Sequence, residues 1–173
     1  MKGRTGGLPG RPFALFVIGV RHLLPKPAER LALRIAHRLR HYWRRIARPQ
    51  LRGVSVLLRD GQGRVLMVRH AYGPPQWSPP GGGIARGEPP EDAARREMEE
   101  ELGLRIERLV LLGTLSETIS GAPHTAYLFT AQIDALPRPD GREVVEARFF
   151  ALDGLPPEMS ALTRRRLAIL AES

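Results

Sequence analysis

Glu97, Glu100 and Glu101 stand at i, i+3 and i+4, and at 3.6 residues per turn that spacing puts three carboxylates on one face of a helix. Like charges this close repel one another and destabilise an isolated helix, so their presence asks for a compensating cation. Hard oxygen donors suit Mg²⁺ or Mn²⁺, and Mg²⁺ commonly takes a few carboxylates while keeping waters and substrate phosphates as its other ligands. The bland alternative is a chance acidic surface helix. Against it stand Gly81, Gly82 and Gly83 just upstream, which let the backbone turn sharply and bring carbonyl oxygens towards the same point. The chain holds no cysteine, so thiolate ligands, disulfides and cysteine nucleophiles are excluded and any metal must be held by oxygen or imidazole.

The carboxylates need a rigid support. Ala94, Met98 and Leu102 repeat every four residues on the opposite side, so one helix presents acids on one face and buries the other against a sheet. The helix is predicted from about Pro90 to Leu102, with prolines at its start and Gly103 just past its end. Glu88 lies about two turns before Arg96 and is expected to pair with it, bracing the loop on the helix. Upstream, Val54, Val56 and Leu58 alternate, Asp60-Gly-Gln-Gly63 marks a turn, and Val65 to Val68 resume an apolar run, together a hairpin. A Gly/Pro-rich loop follows from Ala71 to Gly83. Downstream, strands are expected at Leu109–Leu115, Thr125–Ile133 and Val144–Phe150, the first two separated by a Gly121-Ala-Pro123 loop. A closing helix starts near Ser160, a plausible N-cap, and runs through Leu167 and Leu170. Strands on both sides of one central helix, with a second helix at the end, imply an α/β fold: an α/β/α sandwich with a mixed sheet.

The string GGIARGEPPEDAARREMEEELGL closely resembles the signature of the Nudix hydrolase family, G-x5-E-x7-R-E-U-x-E-E-x-G-U with U aliphatic. It is met at Gly82, Glu88, Arg96, Glu97, Met98, Glu100, Glu101, Gly103 and Leu104. Defined residue types at so many fixed spacings make the match far more specific than a lone glycine motif. Similarity extends less specifically over about Gly53 to Leu170, including Trp77 and the Pro80-Gly-Gly entry. The resemblance implies hydrolysis of a nucleoside diphosphate linked to another group, with Mg²⁺ or Mn²⁺ held by Glu97, Glu100, Glu101 and the Gly81 carbonyl. Gly82, Glu88, Arg96 and Gly103 would support that site. It also implies that Glu97 orients or deprotonates the attacking water; because members differ in the base they use, Glu143 and Glu146 are further candidates. Two departures lie outside the defined positions: Ala85, where many relatives carry another Glu, and Ser78-Pro79 before Pro-Gly-Gly. An intact signature speaks for an enzyme over the alternative, a Nudix-fold binding or regulatory module.

Arg69, His70, Tyr72 and Trp77 precede the acidic segment and are candidate substrate contacts. Arginine suits phosphate and the aromatic rings suit stacking on a base, against the simpler readings of loop packing for Tyr72 and Trp77 and of an exposed strand end for Arg69 and His70. His124 reads equally as a hairpin surface residue. No residue marks the leaving group: Pro123 and Tyr127 lie too far downstream for the usual substrate-subclass spacing.

Charge divides the chain. Residues 1–53 hold 13 Lys/Arg against one acid, Glu29, while residues 54–173 hold 14 against 17, so the formal +9 comes from the N-terminal extension. The natural division is residues 1–50 as a basic extension and 51–173 as the hydrolase domain. From about Ala28 to Arg48, Leu31, Ile35, Leu39, Tyr42 and Ile46 form a helical stripe amid arginines. That basic amphipathic helix fits an anionic membrane surface, with Tyr42 and Trp43 at the interface, or nucleic acid. Its simpler reading is packing on the domain or in a homodimer. The apolar run Phe13–Val20 is far shorter than the ~20 residues of a membrane-crossing helix, and no small-residue cleavage pattern follows it. The expectation is a cytoplasmic protein, peripheral to the membrane if the extension binds lipid.

Overall fold

Consecutive residues of one strand are buried on opposite sides. Val54, Val56 and Leu58 of strand β1 (Leu51–Arg59) pack in one apolar cluster and Leu57 in another, so the sheet is covered on both faces. The computed structural model describes residues 50–171; the apolar run at 13–20 and the basic helix at 28–48 lie outside them. Strands β2 (Val65–His70), β3 (Trp77–Ser78), β4 (Val110–Ile119), β5 (Ala122–Gln132) and β6 (Val144–Phe150) complete a six-stranded sheet in the order β3-β2-β1-β5-β4, with β6 also on β2. β1 and β5 are parallel and the other pairs antiparallel. Helix α1 (Pro90–Leu102) covers one face and α2 (Ala161–Ala171) the other, giving the expected α/β/α sandwich with a mixed sheet.

Each helix has a local reason to start and stop. Pro90 opens α1, where a missing N–H costs nothing, and Glu91 and Asp92 sit in the first turn, where the helix dipole favours acids. Gly103, left-handed at φ 64°, ends it, and the Leu104 N–H reaches back to Met98 O at 3.1 Å. Ser160 Oγ accepts the Thr163 N–H at 3.0 Å and caps α2. Met98 and Leu102 are fully buried against Val56 and Leu66, and each such side chain contributes about 1.5–3 kcal/mol through removal from water.

β1 and β2 register only at Arg59 and Val65, beside the turn that Asp60 Oδ1 closes by accepting the N–H groups of Gln62 and Arg64. The rest of β1 bonds instead to the segment 80–84. Val56 N–H donates to Pro80 O and Val54 N–H to Gly82 O, both at 2.9 Å, and Ile84 N–H donates to Arg52 O at 3.1 Å. The loop before α1 is therefore held against β1 as an extra ribbon of backbone.

The β4–β5 connection is tighter than its sequence implies. Ser120 (φ 54°) and Gly121 (φ 80°) form the turn, and Ala122 and Pro123 belong to β5, opposite Ile119 and Thr118. Positive φ at both central residues is the twist that lets a two-residue turn join antiparallel strands. The expected loop at 121–123 is thus a longer hairpin, which carries His124 into the sheet.

Candidate functional site

Gly81 lies flat on β1. Its φ is 146°, and a Cβ there would fall 2.2 Å from Val54 O, so only glycine permits the approach. Its N–H donates to Glu101 Oε2 at 3.3 Å, and Glu101 is 4% exposed. The next residue meets the other carboxylate of the helix: a Cβ on Gly82 would stand 2.4 Å from Glu97 Cδ. The two glycines and the two acids one turn apart on α1 therefore form one packed unit. Glu100 is more exposed on the same face, its Oε2 3.6 Å from Arg96.

Arg96 ties loop to helix. Its Nε and one terminal nitrogen reach Glu88 at 2.8 and 3.1 Å, that nitrogen also donates to Gly83 O at 3.0 Å, and the other donates to Glu97 Oε1 at 2.7 Å. Glu88 accepts in addition the Ala85 N–H at 2.7 Å. The Arg96 guanidinium holds the Glu88 carboxyl below the usual carboxylate range. In turn Glu88, more than Glu97, keeps Arg96 charged to higher pH.

The remaining electrostatics are unfavourable. Burial pushes the Glu101 carboxyl well above its ordinary value, and the charges of Glu97, Glu143 and Asp140 push it the same way. Glu97 is raised for the same first reason, burial; Arg96 opposes the shift while Glu100 and Glu143 add to it. Asp140 accepts the backbone N–H groups of Arg142, Glu143 and Val144, which fixes the turn bearing Glu143. Among the described residues no three His, Asp or Glu side chains are already gathered as ligands about one point, Glu97 being drawn to Arg96 and Glu101 to Gly81 N. The donor set nevertheless fits a hard divalent cation: buried carboxylates that repel each other gain most from one.

The candidate substrate contacts do not gather at one locus: Trp77 packs in the apolar cluster under α2, on the sheet face opposite α1, and Arg69 lies over its ring. His70 pairs with Val144 in the sheet, and Ala71 N–H donates to Glu143 O at 2.8 Å, so the end of β2 adjoins Glu143. The rings of His70 and Tyr72 lie 5.3 Å apart. Trp77 is 6% exposed, edge-on to Phe150 at 5.0 Å, with the guanidiniums of Arg69 and Arg148 each 5.6 Å from its ring centre. Glu146 bonds both arginines, at 3.3 and 2.8 Å. Arg69, Trp77, Glu146 and Arg148, with Pro75 and Glu158, line a cleft of about 360 Å³. Glu143 therefore couples to the acids of α1, whereas Glu146 is engaged with Arg69 and Arg148.

His124 is not a surface residue. Its side chain is 10% exposed and its Nδ1 lies 3.3 Å from Glu117 Oε2, across the hairpin; Glu117 is itself fully enclosed and gripped through both oxygens by Arg166 of α2. Burial works against the ionised Glu117, but Arg166 and then His124 outweigh it and hold the carboxyl below its ordinary range. Acid and histidine seven positions apart carry no recognisable signal until the turn is known. Gly53, a glycine inside a strand, was the legible clue to a close approach.

The NUDIX domain family model matches residues 49–169, and the chain belongs to the Nudix hydrolase family. An uncharacterized Nudix hydrolase of Pseudomonas aeruginosa is 33% identical over 127 residues, 70% of this chain and 72% of that one. An RNA pyrophosphohydrolase of Rhodospirillum rubrum is 46% identical over 65 residues, but the match spans only 38% of either chain. In three dimensions the crystal structure of a MutT NUDIX hydrolase from Burkholderia pseudomallei superposes with a TM-score of 0.64 at 30% identity, over 70% of this chain and 98% of that one. Among the described residues no helix is long and apolar enough to cross a membrane.

Proposed function

We propose that the protein hydrolyses a diphosphate linkage in a nucleotide or nucleoside diphosphate derivative, with Mg²⁺ held by Glu97, Glu100, Glu101 and the Gly81 carbonyl. The observation that carries this reading is the packing of Glu97 and Glu101, both carboxyls raised first by burial and then by neighbouring acids, on the Gly81–Gly82 backbone. A bound divalent cation supplies neutralisation of the diphosphate and a water of lowered pKa. Gly81 and Gly82 hold the two carboxylates in place, and Arg96 with Glu88 keeps the loop from drifting off the helix. Catalysis of this kind is mainly positioning and charge stabilisation. Glu97 is the first candidate to take the proton of the attacking water. Glu143 is the second, because its charge is felt at both Glu97 and Glu101, and Glu146 ranks below it because two arginines engage it. His70 borders the approach at the end of β2, beside Glu143.

The relatives named as RNA pyrophosphohydrolases and an oxidized purine nucleoside triphosphate hydrolase of Mus musculus define the arms of the test. Purified protein with Mg²⁺ is offered nucleoside triphosphates, nucleotide sugars, ADP-ribose, dinucleoside polyphosphates and RNA with a 5′-triphosphate. The expected result is turnover of at least one class that stops on chelation. No turnover of any of them, alongside tight binding of RNA or anionic vesicles, would favour the alternative of a binding module.

A further inference from the structure

The Arg166–Glu117–His124 chain runs across the sheet towards the site. Arg166 rises from α2, Glu117 from β4 and His124 from β5, and the parallel pairing of β5 with β1 sets His124 beside Leu51. The ring does not stop there: a Cβ built on Gly53 would stand 2.8 Å from His124 Nε2 and 3.0 Å from Gly82 O. The imidazole edge and the Gly82 carbonyl thus converge over one α-carbon that has no side chain to separate them. Gly82 O is the acceptor for Val54 N–H, and the Gly82 α-carbon is the seat of Glu97. Gly53 thus stands between the ring that Glu117 and Arg166 hold and the Gly82 backbone that seats Glu97.

A carboxylate accepts only, so the His124 nitrogen facing Glu117 carries hydrogen and the ring orientation is determined. Holding a glutamate, an arginine and a histidine out of water is weak support for stability in itself, since apolar residues of like volume often do as well. Their placement beside the Gly82 segment gives them another use. We propose that His124 is a positioning residue: clamped by Glu117 and Arg166, its ring edge fixes the Gly81–Gly83 segment against β1, and with it Glu97 and Glu101. The inference rests on the reading of those acids as cation ligands.

Calorimetric titration of the full chain with Mn²⁺ tests it without any substrate, alongside the Tm of each variant in the metal-free state. His124→Asn keeps an amide donor for Glu117 but ends short of Gly53; His124→Ala removes both contacts. Loss of a group that orients metal ligands typically weakens metal affinity by about 10–100-fold. Both variants are expected to lose Mn²⁺ affinity at the low end of that range, although His124→Asn keeps most of the wild-type Tm. Wild-type affinity in His124→Asn would overturn the inference, leaving His124 as a strut between hairpin and helix. A wild-type protein that takes up no Mn²⁺ would instead remove the ligand reading, and the inference with it.

Discussion

Adding one methyl group at Gly82 should displace Glu97 without unfolding the chain. Its Cβ would lie 2.4, 2.5 and 2.6 Å from Cδ, Oε1 and Oε2 of Glu97, where ordinary contact begins at 3.4 Å, so the carboxylate must retreat by about 1 Å. Gly82 does not have a left-handed φ, and what must move is the end of a flexible side chain, so the Tm should change little. A reacting group misplaced by about 1 Å can cost about 10²-fold in rate. Gly83→Ala is the matched control, since nothing lies within 4 Å of a Cβ there. Steady-state hydrolysis of the best substrate at saturating Mg²⁺ should therefore drop about 10²-fold in kcat for Gly82→Ala and stay near wild type for Gly83→Ala. Equal rates in the two variants, with Glu97→Gln inactive, would refute the idea that Gly82 seats Glu97.

Glu101→Gln should raise the Tm of the chelator-treated protein while weakening metal-dependent turnover, because it removes a buried charge that Glu97 and Glu143 oppose. A raised carboxyl lends stability at pH below the ordinary carboxylate range and withdraws it as pH rises through its folded value. Melting curves against pH should therefore show the variant's advantage opening as pH rises. Arg166→Ala leaves Glu117 buried without its main cation and should cost about 3–5 kcal/mol in urea unfolding. Glu117 has the opposite sign: its stabilisation is present above the ordinary range and is lost as pH falls through its lowered value, so Arg166→Ala should flatten that acid limb. Arg96→Lys removes the fork that spans Glu88 and the Gly83 carbonyl, and kcat should fall further than the Tm does.

Local pattern carried much of this architecture. The four-residue repeat of Ala94, Met98 and Leu102 and the Pro90 and Gly103 boundaries match α1 end for end, the hairpin around Asp60 forms, and Ser160 caps α2. The Glu88–Arg96 pair follows from helix and loop spacing and is present at 2.8 Å. What pattern could not carry is pairing between distant segments. Parallel β1–β5 contact, which puts Leu51 opposite His124, depends on the route of the chain after α1. The bond of segment 80–84 to β1 is a tertiary event, and so is the Arg166–Glu117–His124 chain. The extra length of β4 and β5 was hidden because Thr114, Ser116 and Thr118 are exposed on an edge strand, where apolar alternation lapses.

The central claim concerns the three acids of α1. Mg²⁺-dependent hydrolysis of the best substrate by Glu100→Gln plus Glu101→Gln, run in ¹⁸O-labelled water with folding verified by circular dichroism, tests it most directly. Loss of label incorporation into the phosphate products, in a variant that still folds, is the expected result. Wild-type incorporation in that variant would contradict the assignment of these carboxylates.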